Sequence, residues 1–158
     1  MYTTEEIFEF AVHIEENGER FYRDAQLKVS DPGLRSLFEW LRQEEVKHRD
    51  WFLQCRDNLP PEKGDPILIE ASRSILKDII GDQTFSLEEV DLSKIHTPED
   101  LLAIAEEFEK DTVLFFELIK NLVHEPGTLK HLEEIIEEER GHIQMIKERR
   151  ADAYQPTT

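Results

Sequence analysis

Two short stretches carry the same pair of reactive side chains at the same spacing: Glu45 and His48 in "EEVKH" (44–48), and Glu139 and His142 in "EERGH" (138–142). Residues three apart on a helix lie on neighbouring turns and point to the same side, so each pair can offer an oxygen and a nitrogen to one point in space. Leu34, Leu37, Phe38 and Leu41 before the first pair, and Trp51 and Phe52 after it, recur at helical spacing and put Glu45 and His48 near a core-facing stripe. A buried glutamate is costly unless something pairs with it. One such motif has an ordinary reading as a partly exposed pair at the edge of the stripe. Its recurrence is what carries information.

A single constant offset superposes "AVHIEENGERFY" (11–22) on "AEEFEKDTVLFF" (105–116), "DPG" (31–33) on "EPG" (125–127), and "EEVKH" on "EERGH", without a gap. It carries Glu15 onto Glu109, Glu45 onto Glu139, His48 onto His142, Phe21 onto Phe115 and Tyr22 onto Phe116. The two halves read as copies of one helical hairpin. Packed about a pseudo-twofold axis, they bring Glu15, Glu45, Glu109, Glu139, His48 and His142 to the middle of one bundle. Ionised glutamates gathered there repel one another strongly in a low dielectric. Two divalent cations balance four ionised glutamates and two neutral histidines, so a dinuclear metal site solves an otherwise untenable core. Oxygen-rich ligation with one imidazole per metal suits iron or manganese better than zinc. Glu44 and Glu138 also repeat, four residues before each histidine, and periodicity alone leaves them open as ligands.

The elements that must position these residues are four long helices. The first opens at "TTEEI", with Thr3 as cap and Glu6 completing a capping box, and continues to about Val29. "SDPG" breaks it, with Asp31 as N-cap and Pro32 at the first position of a second helix that runs to about Asn58. Thr97 and Pro98 start the third, and "HEPG" divides it from the fourth, at about 128 to 152. Between the second and third lies the connection 59–96, too long for a simple turn and carrying short helical pieces at "PILIEASRSILKDII" and "SLEEV". No strand pattern is evident. The expected organisation is one all-α domain over 1–152, with helix pairs at about 4–58 and 97–152 as the repeat, and a disordered tail at 153–158.

Composition narrows the partners. The formal charge is −17, from 36 acidic and 19 basic residues, and the one basic cluster, "KERRADAY", is short, which argues against nucleic acid or an acidic membrane as partner. The acidic excess also concentrates cations. Cys55 is the single cysteine, which excludes an internal disulfide and thiolate knuckles; it reads as a packing residue. No apolar run approaches a membrane span, and "MYTTEEIFEF" lacks the basic and apolar regions of a signal peptide, so a soluble, cytoplasmic protein is expected. His131 stands about 16 Å along the helix from His142, too far to share a metal, and reads as a surface or bundle-end residue. His13, His96 and His124 have no partner pattern and read as solvated.

With both "ExxH" motifs in register, each preceded at matching distance by another glutamate, the chain resembles the rubrerythrin-like branch of the ferritin-like superfamily from about residue 5 to residue 148. The resemblance implies an antiparallel four-helix bundle with a left-handed crossover between helices two and three, and a non-haem centre of two iron ions, with manganese or a mixed pair as substitutes. The implied ligands are Glu15, Glu45, His48, Glu109, Glu139 and His142, with Glu45 and Glu139 bridging. Tyr22 matches a tyrosine that hydrogen-bonds a ligand from outside, although a plain core tyrosine fits its position too. Phe116 stands where the family has a second tyrosine. Glu106, one turn before Glu109, is either an extra carboxylate ligand or part of a solvated face.

The resemblance further implies reduction of hydrogen peroxide, or of dioxygen, to water. The cysteine-ligated rubredoxin domain of full-length rubrerythrins has no counterpart in these residues, so electrons are expected from a separate donor such as a rubredoxin or a flavoprotein. Iron(II) oxidation for storage or detoxification, and sensing of metal or redox state through the 59–96 connection, are the competing functions. A homodimer is the expected assembly.

Overall fold

Asp31 and Glu125, which the repeat superposes, both sit at the head of a helix and satisfy its first amides. In the computed structural model, Asp31 Oδ2 accepts from the Leu34 amide at 2.8 Å, and the Glu125 carboxylate accepts from the amides of Gly127 at 2.9 Å and Thr128 at 2.6 Å. Residues 4–58 and 92–153 are described, with 66, 67, 70, 71 and 74 between them. Among these the chain forms four long helices and no strand: α1 (Thr4–Gln26), α2 (Pro32–Asp57), α3 (Pro98–Ile119) and α4 (Pro126–Ala153). Thr97 caps α3 by accepting from the Asp100 amide at 3.1 Å. Asn58 closes α2, its amide reaching the carbonyls of Gln54 and Cys55.

The expected boundaries shift at two places. α1 stops three residues before Val29, because the amides of Leu27 and Lys28 turn back to the carbonyls of Asp24 and Ala25 and tighten the last turn, which leaves Val29 free to bury outside the helix. α4 begins at Pro126 rather than 128, since its first-turn proline has no amide to satisfy. The Thr3 cap lies outside the described residues, as do "SLEEV", most of the connection and residues 154–158. Pro66, Ile67, Glu70, Ala71 and Ser74, from the other expected short piece, are helical.

α1 packs along α2 and α3 along α4, giving the two hairpins of the repeat. Their shared interior is divided. One apolar cluster contains Ile7, Phe8, Ile14, Phe52, Phe108, Phe115, Phe116 and Leu132; the other contains Phe21, Tyr22, Phe38, Leu41, Leu101 and Ile146. Complete burial of a phenylalanine or leucine side chain stabilises the fold by roughly 1.5–3 kcal/mol, and both clusters are built from such residues. Between them, at the middle of all four helices, lies a layer of buried carboxylates and imidazoles. The apolar ends hold the bundle closed around that layer.

Candidate metal centre

Each helix contributes to the polar layer from the position the repeat requires: Glu15 from α1, Glu45 and His48 from α2, Glu109 from α3, and Glu139 and His142 from α4. All are buried. Glu139 stands at the centre, its Oε1 at 2.7 Å from His48 Nδ1 and its Oε2 at 3.1 Å from His142 Nδ1. His48 Nδ1 is also 3.7 Å from Glu15 Oε1, and His142 Nδ1 is 3.8 Å from Glu109 Oε1. The ligand atoms fall into two groups able to hold a cation, Glu45, Glu109, Glu139 and His142 in one, and Glu15, His48 and Glu139 in the other. Glu139 is common to both, and Glu45 belongs to the first alone.

The protein by itself leaves this layer unsatisfied. Both carboxylate oxygens of Glu15 and of Glu45, together with Glu109 Oε2 and His142 Nε2, are buried without a hydrogen-bond partner. A buried, unpaired polar atom costs roughly 1–3 kcal/mol, more when charged, so such a cluster in one layer signals a missing positive partner. The donors are hard oxygens with one imidazole for each group, a set suited to iron or manganese. The residues present fit a dinuclear metal site.

The electrostatics follow from this crowding. Burial and the Glu139 charge push the Glu109 carboxyl up to about 8. Burial, with Glu139, Glu15 and Glu109 around it, drives Glu45 well above the usual carboxylate range, and burial with Glu139 raises Glu15. Burial lowers the imidazoles, but for His142 the adjacent Glu109 and Glu139 outweigh it and bring the ring to about 10, and Glu139 and Glu15 raise His48 in the same way. Glu139 goes the other way. Burial opposes its charge, yet the Glu109 carboxyl and the two imidazoles pull it well below the ordinary value. Without metal, Glu139 is therefore drawn toward its charged form and the two imidazoles toward their protonated forms, while Glu15, Glu45 and Glu109 are pushed toward the neutral acid.

Tyr22, two turns after Glu15 on α1, donates its hydroxyl to Glu109 Oε1 at 2.6 Å inside the protein. Burial, and then Glu109 and Glu45, raise the phenol well above 10, so it stays a donor. Phe116, its repeat mate, has no hydroxyl; its ring packs 4.9 Å from Phe52 in the apolar cluster, and Glu15 correspondingly lacks an outer partner.

Neither Glu44 nor Glu138 joins the layer. Glu44 Oε2 pairs with Lys47 Nζ at 2.6 Å, and Glu138 Oε2 lies 2.7 Å from the outer nitrogen of His48, Nε2. Glu106 is not brought to the centre. It is held by Lys110 at 2.7 Å and Arg150 at 3.2 Å, and these two cations keep its carboxyl below the usual range against burial. His131 stacks on Trp51 at the surface with 4.6 Å between ring centroids, while His13, His96 and His124 are exposed. Cys55 packs against the first apolar cluster, and burial, then Glu125, push its thiol up to about 11.

Two further residues lie near the centre, one with a weak signal in the sequence and one with none. Gly18, in the middle of a helix of strong helix formers, marks a close approach: a Cβ there would sit 2.9 Å from Glu45 Oε2 and 3.0 Å from Phe108 Cε1. Trp40, 41% exposed, sets its ring edge-on to His142 with centroids 5.2 Å apart. Nothing in its spacing distinguishes Trp40 from an ordinary surface aromatic.

A search against the curated proteins gives no match. Among solved structures, a ferritin-like diiron-carboxylate protein from Thermotoga maritima matches with a TM-score of 0.71 at 19% identity, over 96% of this chain and 97% of that one, which establishes the same fold. A family model described as rubrerythrin matches residues 6–149, a stretch that contains the whole buried layer and reaches into all four helices. On that match, the chain belongs to the rubrerythrin family.

Proposed function

We propose that this protein is a non-haem di-iron oxidoreductase that reduces hydrogen peroxide, or dioxygen, to water with electrons from a separate donor protein in the cytoplasm. The observation that carries the reading is the buried layer of four carboxylates and two imidazoles, half of whose side-chain polar atoms have no hydrogen-bond partner in the protein. Glu45, Glu109, Glu139 and His142 would hold one ion, and Glu15, His48 and Glu139 the other, with Glu139 shared. A pair of iron(II) ions held there would supply the two electrons that, with two protons, convert peroxide to two waters.

The chain's own residues supply the setting. Glu139 orients both imidazoles through Nδ1, Tyr22 fixes the Glu109 carboxylate, and the phenylalanine-rich cluster beside the layer limits water. Carboxyls such as Glu109, with an affinity for protons near neutrality, can retain or give up a proton as the local charge changes. The single cysteine among these residues is too few to hold a thiolate-ligated electron-transfer centre, which supports a donor outside them.

The test is anaerobic loading with iron(II) followed by stopped-flow mixing with peroxide or with air. Two irons per chain, oxidised much faster by peroxide, is the expected result. Faster oxidation by air with continued turnover of added iron(II) would replace this reading with iron handling, for which the net charge of −17 would serve to gather cations.

A further inference from the structure

The repeat places Glu44 and Glu138 at equivalent positions, each one residue before a central glutamate and four before a histidine. The fold gives them different partners. Glu138 reaches from α4 across to α2 and sets Oε2 at 2.7 Å from His48 Nε2, while the other ring nitrogen, Nδ1, faces the buried layer 2.7 Å from Glu139. Glu44 binds Lys47 on its own helix instead, and His142 Nε2, the nitrogen that the pseudo-symmetry would have it support, is buried with no partner. Trp40 covers the His142 ring edge-on.

Resting on the dinuclear reading above, we infer that Glu138 is a positioning residue for one of the two metal sites: it fixes His48 with Nε2–H outward and Nδ1 toward the metal, and it has no counterpart at His142. The physical reason is tautomer control. A carboxylate that accepts from one imidazole nitrogen keeps the proton there, leaves the other lone pair free for a cation, and strengthens it as a donor. His48 can turn only by breaking that bond. His142 is held in place by packing alone on its outer side. The Glu138 side chain is 52% exposed, so changing it leaves the apolar clusters intact.

The two metal positions are therefore inequivalent in a way the repeated sequence hides. Removing Glu138 weakens the Glu15–His48–Glu139 position by about 10–100-fold and leaves the position containing His142 unchanged, whereas removing Glu44 changes neither by more than about twofold.

The experiment is anaerobic titration of the whole chain with cobalt(II), followed by calorimetry and by the visible ligand-field bands, for the wild type, Glu138→Ala, Glu138→Gln and Glu44→Ala. Helix content and melting of the metal-free variants are measured alongside, so that a folding defect is seen separately. Expected is the loss of affinity in one of two equivalents for Glu138→Ala, with the bands of that equivalent altered, and partial recovery in Glu138→Gln, whose amide oxygen can still accept from Nε2–H. Unchanged affinity in Glu138→Ala, or equal losses in Glu138→Ala and Glu44→Ala, would overturn the inference while leaving the dinuclear reading in place. Failure of the wild type to take two equivalents would overturn the dinuclear reading itself, and the inference with it.

Discussion

Acid should strip metal from this centre with a steepness set by the protons its ligands hold when metal is absent. Glu109 titrates at about 8 and His142 at about 10, and both must lose a proton before they can ligate. Below about pH 7 these two groups alone release about two protons per metal, so affinity at their position rises roughly 100-fold for each unit of pH. Between 8 and 10, where of these two only His142 retains its proton, their contribution falls to about tenfold per unit. Glu45, also raised, adds to the protons released at this position and His48 to those released at the other, whereas Glu139 is pulled low. Ordinary exposed ligands would release almost no protons at pH 7, since free carboxylates are already ionised there and a free imidazole largely neutral. Calorimetry with manganese(II) between pH 6 and 8, in buffers of different ionisation enthalpy, counts the released protons directly. Fewer than one proton per metal across that range would refute the electrostatic account of the centre.

The same shifts fix the sign for the metal-free fold. A raised group stabilises the fold below its unfolded value, 4.5 for Glu109 and 6.5 for His142, and that contribution is lost as pH climbs through about 8 and about 10. The metal-free protein should thus melt at lower temperature near pH 9 than near pH 6, a trend that saturating metal reverses; an apo melting temperature that rises over this interval would contradict it. Gly18→Ala forces a methyl against Glu45 and Phe108, both fully buried, and is expected to cost about 1–3 kcal/mol by chemical denaturation and to weaken metal binding together with stability. Tyr22→Phe leaves Glu109 Oε1 without its donor inside the core and should destabilise the metal-free protein by about 1–3 kcal/mol, with calorimetric unfolding as the check. Because Trp40 touches His142, metal binding should alter its emission in a Trp51→Phe background; an unchanged spectrum at full metal occupancy would show that the ring contact does not report on the site.

The buried layer was legible in the sequence because a helix core rejects carboxylates. Glu15, Glu45, Glu109 and Glu139 could be singled out by the conflict between their charge and the apolar stripes carrying them, and the constant offset between the halves told which belonged together. Helix starts were equally readable, since Asp31 and Thr97 act on amides three residues away. That local chemistry needs no tertiary partner. The end of α1 was less so, because Val29 lies beyond the helix and is buried in a cluster that also gathers Leu101 and Ile146 from far along the chain.

What the tertiary structure alone decided is how two hairpins that repeat the same key residues became different once packed. Glu44 and Glu138 occupy the same place in the repeat, but a carboxylate's partner depends on which cation or imidazole lies within about 3 Å, a distance no spacing rule encodes. Lys47 sits one turn from Glu44, whereas the corresponding position after Glu138 is Gly141, so Glu138 is free to cross to His48. Glu106 met two cations, Lys110 and Arg150, and was held away from the centre, although its sequence neighbour Glu109 lies in it. The residue types and their repetition determined that cations are needed between the helices. Only packing decided which groups face them and which support them from outside, because those contacts join side chains from different helices whose relative heights and rotations arise from the apolar clusters at either end.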